Sequence, residues 1–117
     1  MTDKQMAAQN AAINDFLAGD FVKSFTDGET RIYEFDVSKT EVVNKPDYNG
    51  NPTRALRYHV RDVNSMASTW KNWDVSRMHR NIYHELTEGN GGKGWTVMKI
   101  RREGTMKNTK YHCEGVQ

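Results

Sequence analysis

Apolar residues recur along this chain in two rhythms, one suited to helices and one to strands. Residues 3–18 read as a helix, with Thr2 or Asp3 as N-cap and Met6, Ile13, Phe16 and Leu17 on one apolar side. Alanines at 7, 8, 11 and 12 supply helix propensity but little surface to bury, and Gly19-Asp20 ends the run. Residues 1–20 are therefore expected to form a helical extension, packed as an appendage or frayed. Phe21 to Phe25 alternates apolar and polar positions before the turn signal Asp27-Gly28. Arg31 to Val37 is the next strand, with Tyr33, Phe35 and Val37 on one face and Glu34 and Asp36 on the other. Residues 40–45 form a short strand around Val42 and Val43. The prolines, glycine and Asn/Asp residues of 46–52 then make a loop with Tyr48 near its tip.

The clearest strand spans Thr53 to Val63. Leu56, Tyr58 and Val60 alternate there with Arg57, His59 and Arg61, so one face is apolar and the other cationic. Residues 64–74 show no periodicity and read as a crossover. Asp74 or Ser76 then caps a helix reaching Glu88, with Val75, Met78, Ile82 and Leu86 as its buried stripe. The glycine-rich run 89–94 stops that helix. Strands follow at 95–102 and 109–116, joined by a turn. The order places one helix between the third and fourth of five strands. This is the order of a five-stranded OB-fold-like Greek-key barrel, expected over residues 21–117. An open α+β sheet with the helix on one face is the alternative.

Composition narrows the class. The chain has 117 residues, 36% hydrophobic and 27% charged, enough for one compact domain. Its longest apolar runs are far too short for a membrane span, so no membrane partner and a cytoplasmic location are expected. Cys113 is the only cysteine, which rules out an internal disulfide and a multi-cysteine zinc site. The net charge of +2 conceals a division: residues 1–52 carry five Lys/Arg against nine Asp/Glu, residues 53–117 twelve against six. A basic half of this kind suits an anionic partner.

Catalytic signatures are weak. Gly92-Lys93-Gly94 lacks the Ser/Thr of a phosphate loop and follows a helix instead of preceding one. His79 and His84 are five apart, not the four that a helical metal pair requires, and His112 and Cys113 point to opposite faces of a strand. No catalytic residue, metal or cofactor is expected. A general acid–base pair of His59 and His112, as in a small metal-independent nuclease, is a lesser alternative.

The stronger constellation mixes cations with aromatics: Arg57, His59, Arg61, Lys99, Arg101 and Lys107 with Tyr48, Trp70 and Trp95. Single-stranded nucleic acid needs this combination, cations to follow phosphates and flat rings on which bases stack. Trp73 is expected in the core. The competing reading is a protein-interaction or oligomerisation module, virion-associated, that would use the N-terminal helix or a strand edge; homo-oligomers are compatible with both.

Four segments carry a resemblance: Ser24-Phe-Thr-Asp-Gly-Glu-Thr-Arg31, Trp70-Lys-Asn-Trp-Asp-Val-Ser76, Met98-Lys-Ile-Arg-Arg-Glu-Gly104 and Asn108-Thr-Lys-Tyr111. Together they resemble small phage-type single-stranded-DNA-binding and related OB-fold proteins over about residues 24–113. The resemblance implies a phage- or virus-encoded, non-catalytic binder of single-stranded DNA or RNA, with Arg101 or Arg102 and Tyr111 at matching positions. The first 20 residues have no counterpart in that group.

Overall fold

The computed structural model describes residues 2–47, 49–67 and 69–117. Six strands form one antiparallel sheet: β1 (Thr30–Phe35), β2 (Glu41–Asn44), β3 (Arg54–Asp62), β4 (Trp70–Ser76), β5 (Val97–Glu103) and β6 (Lys110–Gly115). Helix α1 (Asp3–Ala18) precedes the sheet and α2 (Asn81–Glu88) lies between β4 and β5.

β3 organises the sheet. Its residues 54–57 pair with β2 and its residues 60–62 with β1, while β4 pairs with residues 55–61. The overlapping registers put β1 and β2 on one edge of β3 and β4 on the other. β1 and β2 thus behave as two halves of a bent strand, interrupted by the 3₁₀ turn Val37–Lys39. β5 takes the other edge of β1, and β6 pairs with β5. The path across the sheet is β4, β3, β1 with β2, β5, β6.

The two end strands do not hydrogen-bond to each other, so the expected closed, five-stranded barrel is corrected to an open sheet of six strands. The helix sits between the fourth and fifth strands, not the third and fourth. The physical reason is the β4 edge itself. Asp20–Val22 runs along it in parallel, with Val22 N donating to Asn72 O at 3.0 Å and Asn72 N to Asp20 O at 2.7 Å. That pairing occupies groups β6 would otherwise use. Only Phe21 makes a bridge there, so the expected strand at 21–25 reduces to one residue.

Side chains seal what the backbone leaves open. Trp73 of β4 packs against Tyr111 of β6 at 5.4 Å, and Phe25 contacts both at 5.5 and 5.6 Å. Tyr33, Phe35 and Tyr58 complete an aromatic centre, and Trp73 is buried there as its sequence context suggested. Edge-to-face pairs of this kind contribute roughly 0.5–1.5 kcal/mol each beyond area burial. Arg31 and Arg102 hold the sealing segment from either side. Arg31 donates to the carbonyls of Lys23 and Ser24, and Arg102 donates to that of Phe25.

Two further expectations change. The crossover at 64–74 contains the start of β4, hidden because Trp70 points outward and the cation Lys71 points inward. The second helix begins at Asn81 after a 3₁₀ turn, and Ser76 caps that turn by accepting from Met78 N at 3.4 Å. Val75 belongs to β4 and Met78 is exposed, which leaves Ile82 and Leu86 as the buried stripe. Among the described residues no helix is long and apolar enough to cross a membrane.

Candidate nucleic-acid interface

The outer face of β3 and β4 is built by register. Arg61 lies opposite Trp70, His59 opposite Asn72 and Arg57 opposite Asp74. Alternation sends Tyr58, Val60, Trp73 and Val75 to the core and leaves these six outward. Trp70 stacks on the His59 ring with centroids 5.3 Å apart and planes at 4°. The Arg61 guanidinium lies 5.2 Å from the same indole centroid. Trp70 nevertheless stays 36% exposed. An indole held flat by two neighbours and open to water is a preorganised stacking surface.

The cations of the sheet differ in position and availability. Arg57 and Arg61 lie on β3, beside the strand of Trp70, whereas Lys99, Arg101 and Lys107 lie on β5 and in the turn after it, across β3 and β1 from β4. Arg57 makes a bidentate pair with Asp74, Nε–Oδ1 2.7 Å and Nη2–Oδ2 2.9 Å, and Lys45 reaches the same carboxylate at 3.1 Å. Phe21 covers Arg57 and Lys45 at 5.0 and 5.6 Å. The Arg57 hydrogen bonds and then Lys45 hold the Asp74 carboxyl below its ordinary range. Arg57 is thus a structural cation. Arg61 pairs with Glu34 of β1, and its Nε has no partner among the described residues. Lys99 lies 3.8 Å from Glu114 in an exposed pair. Arg101 and Lys107 are exposed and make no ion pair among the described residues.

No family model, curated protein or solved structure matches the chain.

The remaining expected residues lie elsewhere. Trp95 is half-buried against α2: its indole N–H donates to Glu85 Oε1 at 3.0 Å, and its ring fills the space where a side chain on Gly115 would stand. It does not join the Trp70 surface. Tyr48 lies outside the described residues. Arg102, one of the two arginines matched by resemblance, is turned inward onto Phe25 O, Gly104 O and Thr109 Oγ1. Tyr111 is half-buried between Phe25, Trp73 and His79. Arg101 is the matching position that faces water.

A second basic feature is a cleft of about 770 Å³ between the start of α2 and β6, lined by His79, Lys107, Lys110 and His112 among others. Its charge is less than its composition suggests. Burial and then the Arg102 charge hold the His79 imidazole below its ordinary pKa, and His112 Nε2 lies 2.7 Å from Glu103 Oε2. His59 and His112 sit on β3 and β6, three strand positions apart or roughly 14 Å along the sheet. They do not form an acid–base pair.

The neutralising partners Glu34 and Asp74 escaped the sequence reading of the site. Both fall on outward strand positions, on the same faces as the cations they meet, and which cation each meets is set only by the strand register.

Proposed function

We propose that the chain binds single-stranded nucleic acid, DNA in the first instance, on the outer face of β3 and β4 and without catalysis. The observation that carries this reading is the exposed Trp70 indole fixed against His59 and Arg61. A base stacks on Trp70 and Arg61 takes the adjoining phosphate, while Lys99, Arg101 and Lys107, on β5 and in the turn after it, take phosphates further along the strand as it crosses the sheet. The strand path supports an OB-type reading. With β1 and β2 counted as one bent strand, the order is that of the five-stranded barrel opened at the seam between its third and fifth strands. In that scheme β3 and β4 are the second and third strands, the face on which OB-folds take oligonucleotides.

Four phosphate contacts give a salt slope of about −3, so affinity falls roughly 50-fold between 50 and 200 mM salt. A fluorescence titration with oligo-dT, oligo-U and duplex DNA at both salts tests the reading. Quenching by single strands that weakens with salt supports it. Absence of any salt-sensitive shift, or equal binding of duplex, removes it.

A further inference from the structure

The segment that closes the β4 edge also presents a ring. Lys71 of β4 donates to Asp15 O at 2.9 Å and to Gly19 O, which anchors the chain as it leaves α1. Asn72, the next residue, bonds to Asp20 O and Val22 N, and Phe21 between them is its partner in a parallel bridge. Paired residues of adjacent strands turn their side chains to one face. Asn72 shares its face with Trp70, two positions earlier, and Val22 packs against the core as alternation requires. Phe21 therefore stands on the outer face with Trp70, His59 and Arg61. Its setting repeats that of Trp70. The Arg57 guanidinium and the Lys45 ammonium lie 5.0 and 5.6 Å from its ring centroid, as Arg61 lies 5.2 Å from the indole. Phe21 is 45% exposed, against 36% for Trp70. It is a flat ring positioned by backbone hydrogen bonds and cations, and it is open to water.

We propose that Phe21 is a second base-stacking position, taking another base of the same single strand whose first base lies on Trp70. This role rests on the β3–β4 face being a single-strand site, and it sets the spacing of that site. Two residues along β4 and one strand across separate the Cα atoms of Trp70 and Phe21 by roughly 8 Å. Bases stacked in a regular strand advance only about 3.4 Å per nucleotide. The two rings therefore take bases that are parted from each other, which a single strand supplies and a stacked, paired duplex does not. The surroundings of Phe21 select the same occupant. Arg57 and Lys45 share the single carboxylate of Asp74, so the cations beside the ring outweigh that anion. A base is a flat apolar face joined to a phosphate and suits such a place. A protein partner would need a broader apolar surface, but Asn72 and the Arg57–Asp74 pair border this lone ring with polar groups.

Fluorescence anisotropy of labelled oligo-dT at low and high salt tests this with the parent chain, Phe21→Leu, Phe21→Trp and Trp70→Ala. Phe21→Leu keeps an apolar side chain but removes the ring. Its Kd should rise about fivefold or more, the low end for loss of one stacked base, with an unchanged salt slope because no cation is removed. Phe21→Trp enlarges the ring and should bind more tightly than the parent chain. Urea midpoints should stay close to that of the parent chain, and if Phe21→Leu unfolds early, Phe21→Trp decides alone. A Phe21→Leu chain that binds like the parent overturns the proposal, as does Phe21→Trp with no gain. A loss accompanied by a flatter salt slope also overturns it, because the ring would then act only by placing Arg57 or Lys45. Binding lost in Trp70→Ala but intact in Phe21→Leu removes the second position and leaves the Trp70 site standing. A parent chain that binds no oligo-dT removes both.

Discussion

Trp70 and His59, on neighbouring strands, stack with their ring planes 4° apart, and Arg61 approaches the same indole. Three residues later on β4, Trp73 is surrounded by five aromatic rings and is almost fully buried. Two tryptophans on one strand therefore differ in setting: Trp73 packs the core, and Trp70 is the exposed ring proposed to take a base.

That division predicts opposite phenotypes. Trp70→Ala should weaken single-strand binding by roughly 1–3 kcal/mol and leave stability within about 1 kcal/mol. Trp73→Ala should lower unfolding free energy by roughly 3–5 kcal/mol. Urea denaturation and oligo-dT titration of both variants check this. A Trp70→Ala protein that binds normally would show that the exposed indole is not the stacking surface.

Glu34 restrains the cation next to that surface. Its carboxylate pairs with Arg61 from the facing position on β1. Glu34→Gln removes the competing anion without changing the side-chain size. Affinity for oligo-dT should rise several-fold, while the salt slope stays near that of the four phosphate contacts among which Arg61 already counts. The pair is partly exposed, so stability should change by no more than about 1 kcal/mol. Unchanged affinity across a salt series would place Arg61 outside the phosphate path.

How much of this was legible depends on whether a partner is local. β3 announced both of its faces, because Leu56, Tyr58 and Val60 alternate with Arg57, His59 and Arg61 over a long run. β4 did not, because its alternation is inverted at one end: the aromatic Trp70 is outward for stacking and the cation Lys71 inward for α1. The start of α2 was misplaced because Val75, a strand residue, falls by coincidence on the spacing of Met78, Ile82 and Leu86. The neutralised state of the cations was not readable along the chain. Arg57 meets Asp74 across 17 positions and Arg61 meets Glu34 across 27, contacts that exist only once the register is set. Charge counting located the basic half and overstated how much of it is free.

Acid should act through Asp74. Its side chain is 3% exposed, and its carboxyl is held below the ordinary value of 3.8 chiefly by the Arg57 hydrogen bonds. A carboxyl that binds its proton more weakly when folded makes acid favour the unfolded chain. The contribution is full above the unfolded value of 3.8 and disappears as pH falls through the lower folded value. Asp74→Asn should therefore reduce the melting temperature at pH 7, and the gap from the parent protein should narrow below pH 3.8. Since Arg57 and Lys45 retain access to water, the loss at neutral pH should be about 1–3 kcal/mol, less than for a fully buried pair. A gap that stays constant down to strong acid would assign the effect to packing.

Arg102 offers the sharpest test of how the open seam is held. Its guanidinium donates to Phe25 O, Gly104 O and Thr109 Oγ1, joining the segment on the β4 edge to the turn before β6. Removal leaves the Phe25 carbonyl without its side-chain donor beside a buried ring, at a cost of roughly 1–3 kcal/mol. Arg102→Lys keeps the charge but loses the planar fork that spans three acceptors, so it should recover only part of the stability. The damage should be local. Amide exchange should accelerate first at Val22 and Asn72, whose backbone hydrogen bonds fasten the segment, while the β1–β5 ladder keeps its protection. Uniform acceleration across the sheet would instead mean that the segment from Asp20 to Phe25 is an integral part of the core, and that the sheet does not persist without it.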